Sequence, residues 1–267
     1  MKQRRSDTRG FSLSWSQPMP LNYARRLTGR DRTALANQHL GCVLAFVAGA
    51  ANAGGFLAVR QYTSHMTGIV SAVADDLVLG DLGLALDGLG ALLCFAFGAA
   101  CSAVMINFAR RRKLHSEYAM PLLLEAALLI SFGLLGAKLS EFQGLFVPAT
   151  VMLLCFIMGL QNAVITKLSR AEIRTTHLTG MVTDVGIEIG KLIYWNRSDR
   201  PGLPAVQANF PRLRVLVALV AFFFAGAIIG AFGFKHLGYG ATIPLALLLV
   251  AIASMPAIDD LAALTGD

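Results

Sequence analysis

Two histidines, each set in nearly the same run of residues, are the sharpest chemical feature of this sequence. Residues 63–70 read Thr-Ser-His-Met-Thr-Gly-Ile-Val, and residues 175–182 read Thr-Thr-His-Leu-Thr-Gly-Met-Val. A matching pair of runs lies upstream of them, Gly49-Ala-Ala-Asn52-Ala53 and Gly159-Leu-Gln-Asn162-Ala163. The two asparagines are 110 positions apart and the two histidines 112. Asn52, His65, Thr67 and Gly68, together with Asn162, Thr176, His177, Thr179 and Gly180, form a doubled set suited to a small polar ligand. An imidazole donates or accepts, hydroxyls and uncapped helical N–H groups bind anions, and glycine admits a close backbone. Arg60 and Arg174 lie upstream of the two runs and would reinforce attraction for an anion. The plainer alternatives are amides that bridge helices, threonines (Thr67, Thr179) that cap the first helical turn, and ordinary loop structure. Gly54 and Gly55, directly after Asn52, permit a bend or an unwound turn there.

Acids accompany each run. His177, Asp184 and Glu188 share one face at helical spacing, while the first run offers His65 and Asp76, with Ala72 where the second has Asp184. Ionisable groups inside a membrane are costly and mark ion or proton paths, so Asp76, Asp184 and Glu188 are candidate coupling residues. A solvated helix end among lipid headgroups is the competing reading. Glu125 is a separate acid, inside a third apolar stretch just after Pro121. It lies near the interface or has a gating or coupling role. No zinc pair, nucleophile elbow or phosphate loop is present. No metal and no cofactor is therefore expected. The four cysteines (Cys42, Cys94, Cys101, Cys155) all fall within apolar stretches and read as packing.

The elements that must position these residues are dictated by composition. Of 267 residues, 55% are hydrophobic and 15% charged, and the mean hydropathy is +0.61. A soluble domain carries roughly 25% charged residues. A soluble enzyme, a disordered chain and a secreted disulfide scaffold are thereby excluded. Six stretches, 40–59, 84–109, 119–138, 146–166, 213–234 and 239–258, reach the roughly 20 apolar residues that a transmembrane helix requires. Two shorter ones, 66–80 and 178–194, contain acids and read as re-entrant or interfacial helices. Residues 1–39 form a basic, mobile cytoplasmic tail too charged for a signal peptide, with Thr28 as a cap for a late helical turn. Residues 259–267 form a C-terminal tail.

Basic residues set the orientation. With six crossings, 20 of 23 lysines and arginines fall on one side, leaving Arg60, Lys138 and Lys235 on the other. Both termini are therefore expected in the cytoplasm. The net charge of +7 lies in the gaps between apolar stretches, which favours membrane lipid over nucleic acid as its partner.

The two runs head two similar halves, 40–139 and 140–258. Phe97-Gly98-Ala99 and Ser102 are echoed by Ala225-Gly226-Ala227 and Gly230, and Pro121 by Pro244. The small residues are expected to form the contact between halves. Three spans per half is an odd number, so the second half must enter the membrane from the opposite side. The result is an all-α membrane protein of about six spans and two short helices, built as two inverted-topology repeats.

The GxQNA…TTHxTGxxTD stretch at 159–184, with its first-half counterpart, resembles the YoaK family of small bacterial integral membrane proteins over roughly residues 40–258. Asn52 stands where that family commonly has an acid, and Ile69 where asparagine is common. The resemblance implies a bacterial inner membrane but carries no assigned activity. The function expected from the residues themselves is a small secondary transporter or permease. Its cargo would be a small polar or anionic solute, with or without protons, held between the repeats. The alternatives are an intramembrane enzyme using His177 and Asp184, or a membrane scaffold or sensor subunit. Homo-oligomerisation is left open.

Overall fold

The computed structural model describes residues 34–114, 116–139, 143–168, 178–196 and 205–265. Every regular element among them is helical: α1 Ala34–Val59, α2 Met66–Leu79, α3 Leu82–Arg111, α4 Ala119–Leu139, α5 Gln143–Leu168, α6 Leu178–Ile193, α7 Phe210–Leu237 and α8 Thr242–Thr265. A 3-10 turn, Gly238–Ala241, joins the last two. The sequence expectations for the tail before residue 34, Thr28 included, lie outside the described residues.

Four helical stretches are long and apolar enough to cross a membrane: Leu35–Val59, Leu82–Arg111, Val147–Lys167 and Phe210–Ser254. The last covers α7 and the start of α8, and Ala119–Leu134 in α4 is a shorter apolar helix. At about 1.5 Å per residue, α3 alone runs the length of a bilayer core and beyond. Leu86, Phe97, Val104, Phe224 and Phe232 each leave about two-thirds of their surface uncovered. Large apolar side chains turned outward along α3 and α7 are what lipid, and not water, tolerates. The chain is a helical, multi-pass membrane protein.

The bundle is organised by helices exchanged between the halves of the sequence. α1 packs chiefly on α7, α3 on α5, and α4 on α8. Glycine makes the first two contacts possible. A Cβ on Gly49 would overlap the carbonyl of Phe223, and one on Gly226 would overlap the carbonyl of Phe46. The same relation recurs between α3 and α5, where Gly98 lies on the carbonyl of Phe156 and Gly159 on that of Phe95. Gly230 adds a contact to the backbone of Ala50. Small residues thus join the two halves as expected, but each meets the GxxNA helix of the other half; Gly98 and Gly226 do not meet each other.

Register fixes the helix directions. Phe46, Ala50 and Gly54 face Gly226, Gly230 and Phe234 in turn, so α1 and α7 run parallel. Gly90 meets Met152 and Gly98 meets Phe156, so α3 and α5 are parallel as well. α4 and α8 are antiparallel: Gly133 meets Thr242, and the Ser116 N–H donates to the Asp260 carboxylate at 2.8 Å. Each short helix folds back along the long helix that follows it. Val73 of α2 lies against Gly88 of α3, while Met181 of α6 clusters with Leu216 and Leu219 of α7. The two long helices are capped alike. Asp81 Oδ1 accepts the Leu84 N–H at 3.2 Å and caps α3; Asn209 Oδ1 accepts the Arg212 N–H at 3.1 Å and caps α7.

The expected unwinding at Gly54 and Gly55 does not occur, because α1 remains helical to Val59. The two glycines instead make room for the Phe234 ring and for a Leu154 methyl group.

Backbone contact makes the crossing glycines intolerant of even one methyl group. Gly98→Ala and Gly226→Ala should each destabilise the folded protein by roughly 1–3 kcal/mol, read as a lower thermal midpoint in detergent. A Cβ on Gly186 meets nothing within 4 Å. Gly186→Ala should therefore be neutral or raise stability by up to about 1 kcal/mol through helix propensity.

Candidate functional site

α1 ends in a reversal. Arg60 adopts a left-handed conformation, φ 57°, and its N–H closes the last turn on the Phe56 carbonyl at 2.8 Å. A non-glycine residue takes this conformation only when its surroundings demand it, and here the demand is a chain that doubles back on α1. The Tyr62 ring stacks on Phe56 with centroids 4.5 Å apart. Two residues on, Ser64 donates to Asn52 Oδ1 from both its N–H (3.3 Å) and its hydroxyl (3.0 Å). Asn52 lies seven residues back from the end of α1, about 10 Å along the helix. The Cys155 thiol of α5 secures the segment from the other side, donating to the Thr63 carbonyl at 3.4 Å in a buried contact. This thiol therefore acts as a tether as well as packing.

α2 consequently starts inside the bundle. Ile69 in its first turn is buried with Ala91, Val151 and Cys155. Its cap position is His65, whose side chain makes no capping hydrogen bond; Thr67, expected as a cap, lies one residue inside the helix and is exposed. The first N–H groups of α2 thus have no side-chain acceptor of their own. The His65 ring lies over Gly68, where a Cβ would collide with it. That is the packing reason for glycine three residues after this histidine.

A cleft of about 510 Å³ opens beside this segment. His65, Gly68 and Asp76 line it, joined by Arg60, Tyr62 and Asp87 from the first half and by Val147, Pro148 and Val151 from α5. Its size suits a small molecule. Three of the expected residues therefore meet in one cavity together with Arg60, while Asn52 stands behind the wall and is engaged by Ser64. Asp87 and the α5 residues were not singled out from the sequence. Asp87 stands in a different run of the chain, and only the α2–α3 hairpin brings it to Asp76.

In the second half, Arg174, Thr176 and His177 lie outside the described residues. Asn162 is largely buried, Thr179 and Gly180 are exposed, and the Thr179 carbonyl accepts the Thr183 hydroxyl at 2.8 Å. Asp184 pairs with Arg212 at 3.0 Å. Glu188 is buried, 2% exposed, and accepts from Lys191 at 2.9 Å and from the Asn209 N–H at 2.7 Å. Both acids thus tie α6 to the start of α7. Among the described residues, no three metal-ligating side chains cluster.

Glu188 lies level with the cap of α7, outside the long apolar helices. The Lys191 ammonium and the Asn209 N–H hold its carboxyl below the usual glutamate value of 4.5. A carboxylate with a depressed folded-state value stabilises the fold at pH above the unfolded value, and that stabilisation is lost as pH falls through the folded value. The melting temperature should therefore drop on acidification below about 4.5. Glu188→Gln should flatten this acid limb and lower stability at neutral pH, as a pH series of thermal melts would reveal.

No curated protein and no solved structure matches the chain. A family model described as a protein of unknown function, DUF1275, matches residues 40–255, a span that begins within α1, ends within α8 and contains both histidine runs. With most of its length inside that match, the chain belongs to the DUF1275 family.

Proposed function

We propose that this protein is a small secondary transporter or permease, built as two inverted-topology repeats, for a small polar or anionic solute. The observation that carries this reading is the cleft at the His65 segment. There a returning loop delivers the N-terminal end of α2 into the bundle, next to Arg60. Backbone N–H groups and the positive end of a helix dipole favour an anionic group, and the Arg60 guanidinium adds a full charge at this end of the cleft, while Asp76 and Asp87 line it as acids. His65 and Gly68 line this half's share of the site, with Thr67 between them in sequence and Asn52 behind them, holding the segment through Ser64. Asn162, Thr176, His177, Thr179 and Gly180 form the counterpart, and Asp76, Asp184 and Glu188 are its coupling acids.

Several observations support the repeat. Gly49 and Gly159 are 110 positions apart, as are their partners' counterparts Phe46 and Phe156. Gly98 and Gly226 are 128 apart, and so are Phe95 and Phe223, and the caps Asp81 and Asn209. Two identical crossings related by fixed offsets are what a two-fold axis between halves produces. The directions of α1, α3, α4, α5, α7 and α8 agree with six crossings and with both termini in the cytoplasm. The YoaK likeness favours a bacterial inner membrane. Two similarly packed halves admit two arrangements of close energy, one open to each side, and this is the basis of alternating access.

Purified protein in liposomes should accumulate or exchange members of a panel of small carboxylates and inorganic anions. Arg60→Ala and His65→Ala should each cut the rate about tenfold or more, in line with losing a charge-assisted contact. Uptake left unchanged by the double variant His65→Ala, His177→Ala would contradict the proposal.

A further inference from the structure

Glu125 stands in the middle of the most buried face of α4. Tyr118, Leu122, Leu129 and Phe132 share that face, and all five are 2% exposed or less, Glu125 at 0%. Both carboxyl oxygens are buried, and neither has a hydrogen-bond partner among the described residues. Its depth follows from register. The Tyr118 hydroxyl donates to the Lys167 carbonyl at 3.4 Å, and α4 runs antiparallel to α5. Seven residues on, Glu125 comes level with the Met158–Gln161 stretch, and Gln161 donates to the Leu44 carbonyl at 3.2 Å. That is the middle of the bundle, where α1 and α5 cross.

The groups around it leave an ionised carboxylate without compensation. The ionisable residues at the Tyr118 end are engaged elsewhere: Arg110 with Glu117 and Tyr118, Lys167 with Asn107, and Asp260 with Ser116. His39 of α1 is exposed, Cys42 packs with the Leu216 cluster, and Cys155 turns to Thr63. At the far end Tyr239 packs edge-on against Phe132. The buried hydrophobic cluster that holds its α4 neighbours Leu122, Ala126 and Leu129 also takes in residues of α1, α5 and α8, and Gln161 is a buried amide of α5 at the same level. A charge here would be neither solvated nor paired, whereas the neutral acid avoids that cost.

The buried oxygens of Asn37, Ser102 and Gln161 are likewise unmatched. By helix register they fall between the Glu125 level and the end where α1 begins. Two of these, the amide oxygens of Asn37 and Gln161, can only accept, and a proton on Glu125 adds a donor to the bundle.

We infer that Glu125 is a proton-binding site at the centre of the bundle, loaded in the arrangement seen here and exchanging its proton only when the helices around it part. Among the described residues it has no hydrogen-bond partner through either carboxyl oxygen. Its use in driving solute movement rests on the transport reading; the bound proton does not.

Infrared spectra of the full chain in lipid bilayers at pH 7, without added solute, test the site. The expected result is a carboxylic-acid C=O band that is absent from Glu125→Gln, displaced in Glu125→Asp, and shifted when the membranes are moved into D2O. A wild-type spectrum with no such band, a band common to wild type and Glu125→Gln, or one that D2O fails to shift overturns the inference. If Glu125→Gln fails to fold, Glu125→Asp decides, since an undisplaced band is assigned elsewhere. Proton-driven uptake in the same bilayers is a separate arm. An exchanging Glu125 band in a protein that moves no solute would refute the transport reading and leave the proton site standing.

Discussion

Four glycines set the distance between the halves of this molecule. Gly49, Gly98, Gly159 and Gly226 each receive a backbone carbonyl from the opposing helix where any other residue would place a side chain. In lipid, the hydrophobic effect does not press helices together, so close van der Waals contact over small residues becomes the main source of adhesion. That contact pairs α1 with α7 and α3 with α5, and every other placement follows from it. α1 and α5 are brought to cross, α4 and α8 close the bundle, and α2 and α6 fold back along α3 and α7, with the first turn of α2 reaching inward through Ile69. Shape complementarity of this kind is discrete: a pair of helices in backbone contact either fits or separates.

The polar features lie around these crossings and not within them. Beyond Gly49, α1 runs on through Asn52 to the Arg60 reversal, and the amide of Asn52 is spent on holding the returning Ser64. This uses a half-buried polar group for position, leaving His65 and the start of α2 to face the cleft. In the second half the acids of α6 are neutralised by Lys191 and Arg212. Glu125 has no such partner among the described residues, and that contrast sets an acid buried alone apart from acids held by a cation.

Much of this was legible in the residues, for physical reasons. Long apolar stretches can only be helices in a bilayer, since every backbone N–H and C=O must be satisfied internally. The small-xxx-small runs at Gly98 and Gly226 announced close contacts, whereas the GxxNA runs pointed to their asparagines and gave no sign of the contacts made by Gly49 and Gly159. The partner of each run was not legible. Gly98 and Gly226 look alike and invite pairing with each other, yet each sits on the GxxNA helix of the opposite half. Gly54 and Gly55 read as a hinge and serve as sockets, since a glycine's sequence context does not say whether it is there for its backbone freedom or for its missing side chain. Asp87 and Pro148 reach the cleft only through the hairpin and the start of α5. Glu125 was visible as an anomaly, but its isolation depends on which faces of α1, α5 and α8 surround it.

The central claim is that the two halves are placed in opposite senses across the membrane. Leu82 and Phe210 directly follow the caps Asp81 and Asn209 and are both exposed. Single cysteines at these positions, in a chain otherwise free of cysteine, can be probed with a membrane-impermeant thiol reagent added to one face and then to both. Leu82→Cys and Phe210→Cys should react from opposite faces; labelling of both from the same face would contradict the account.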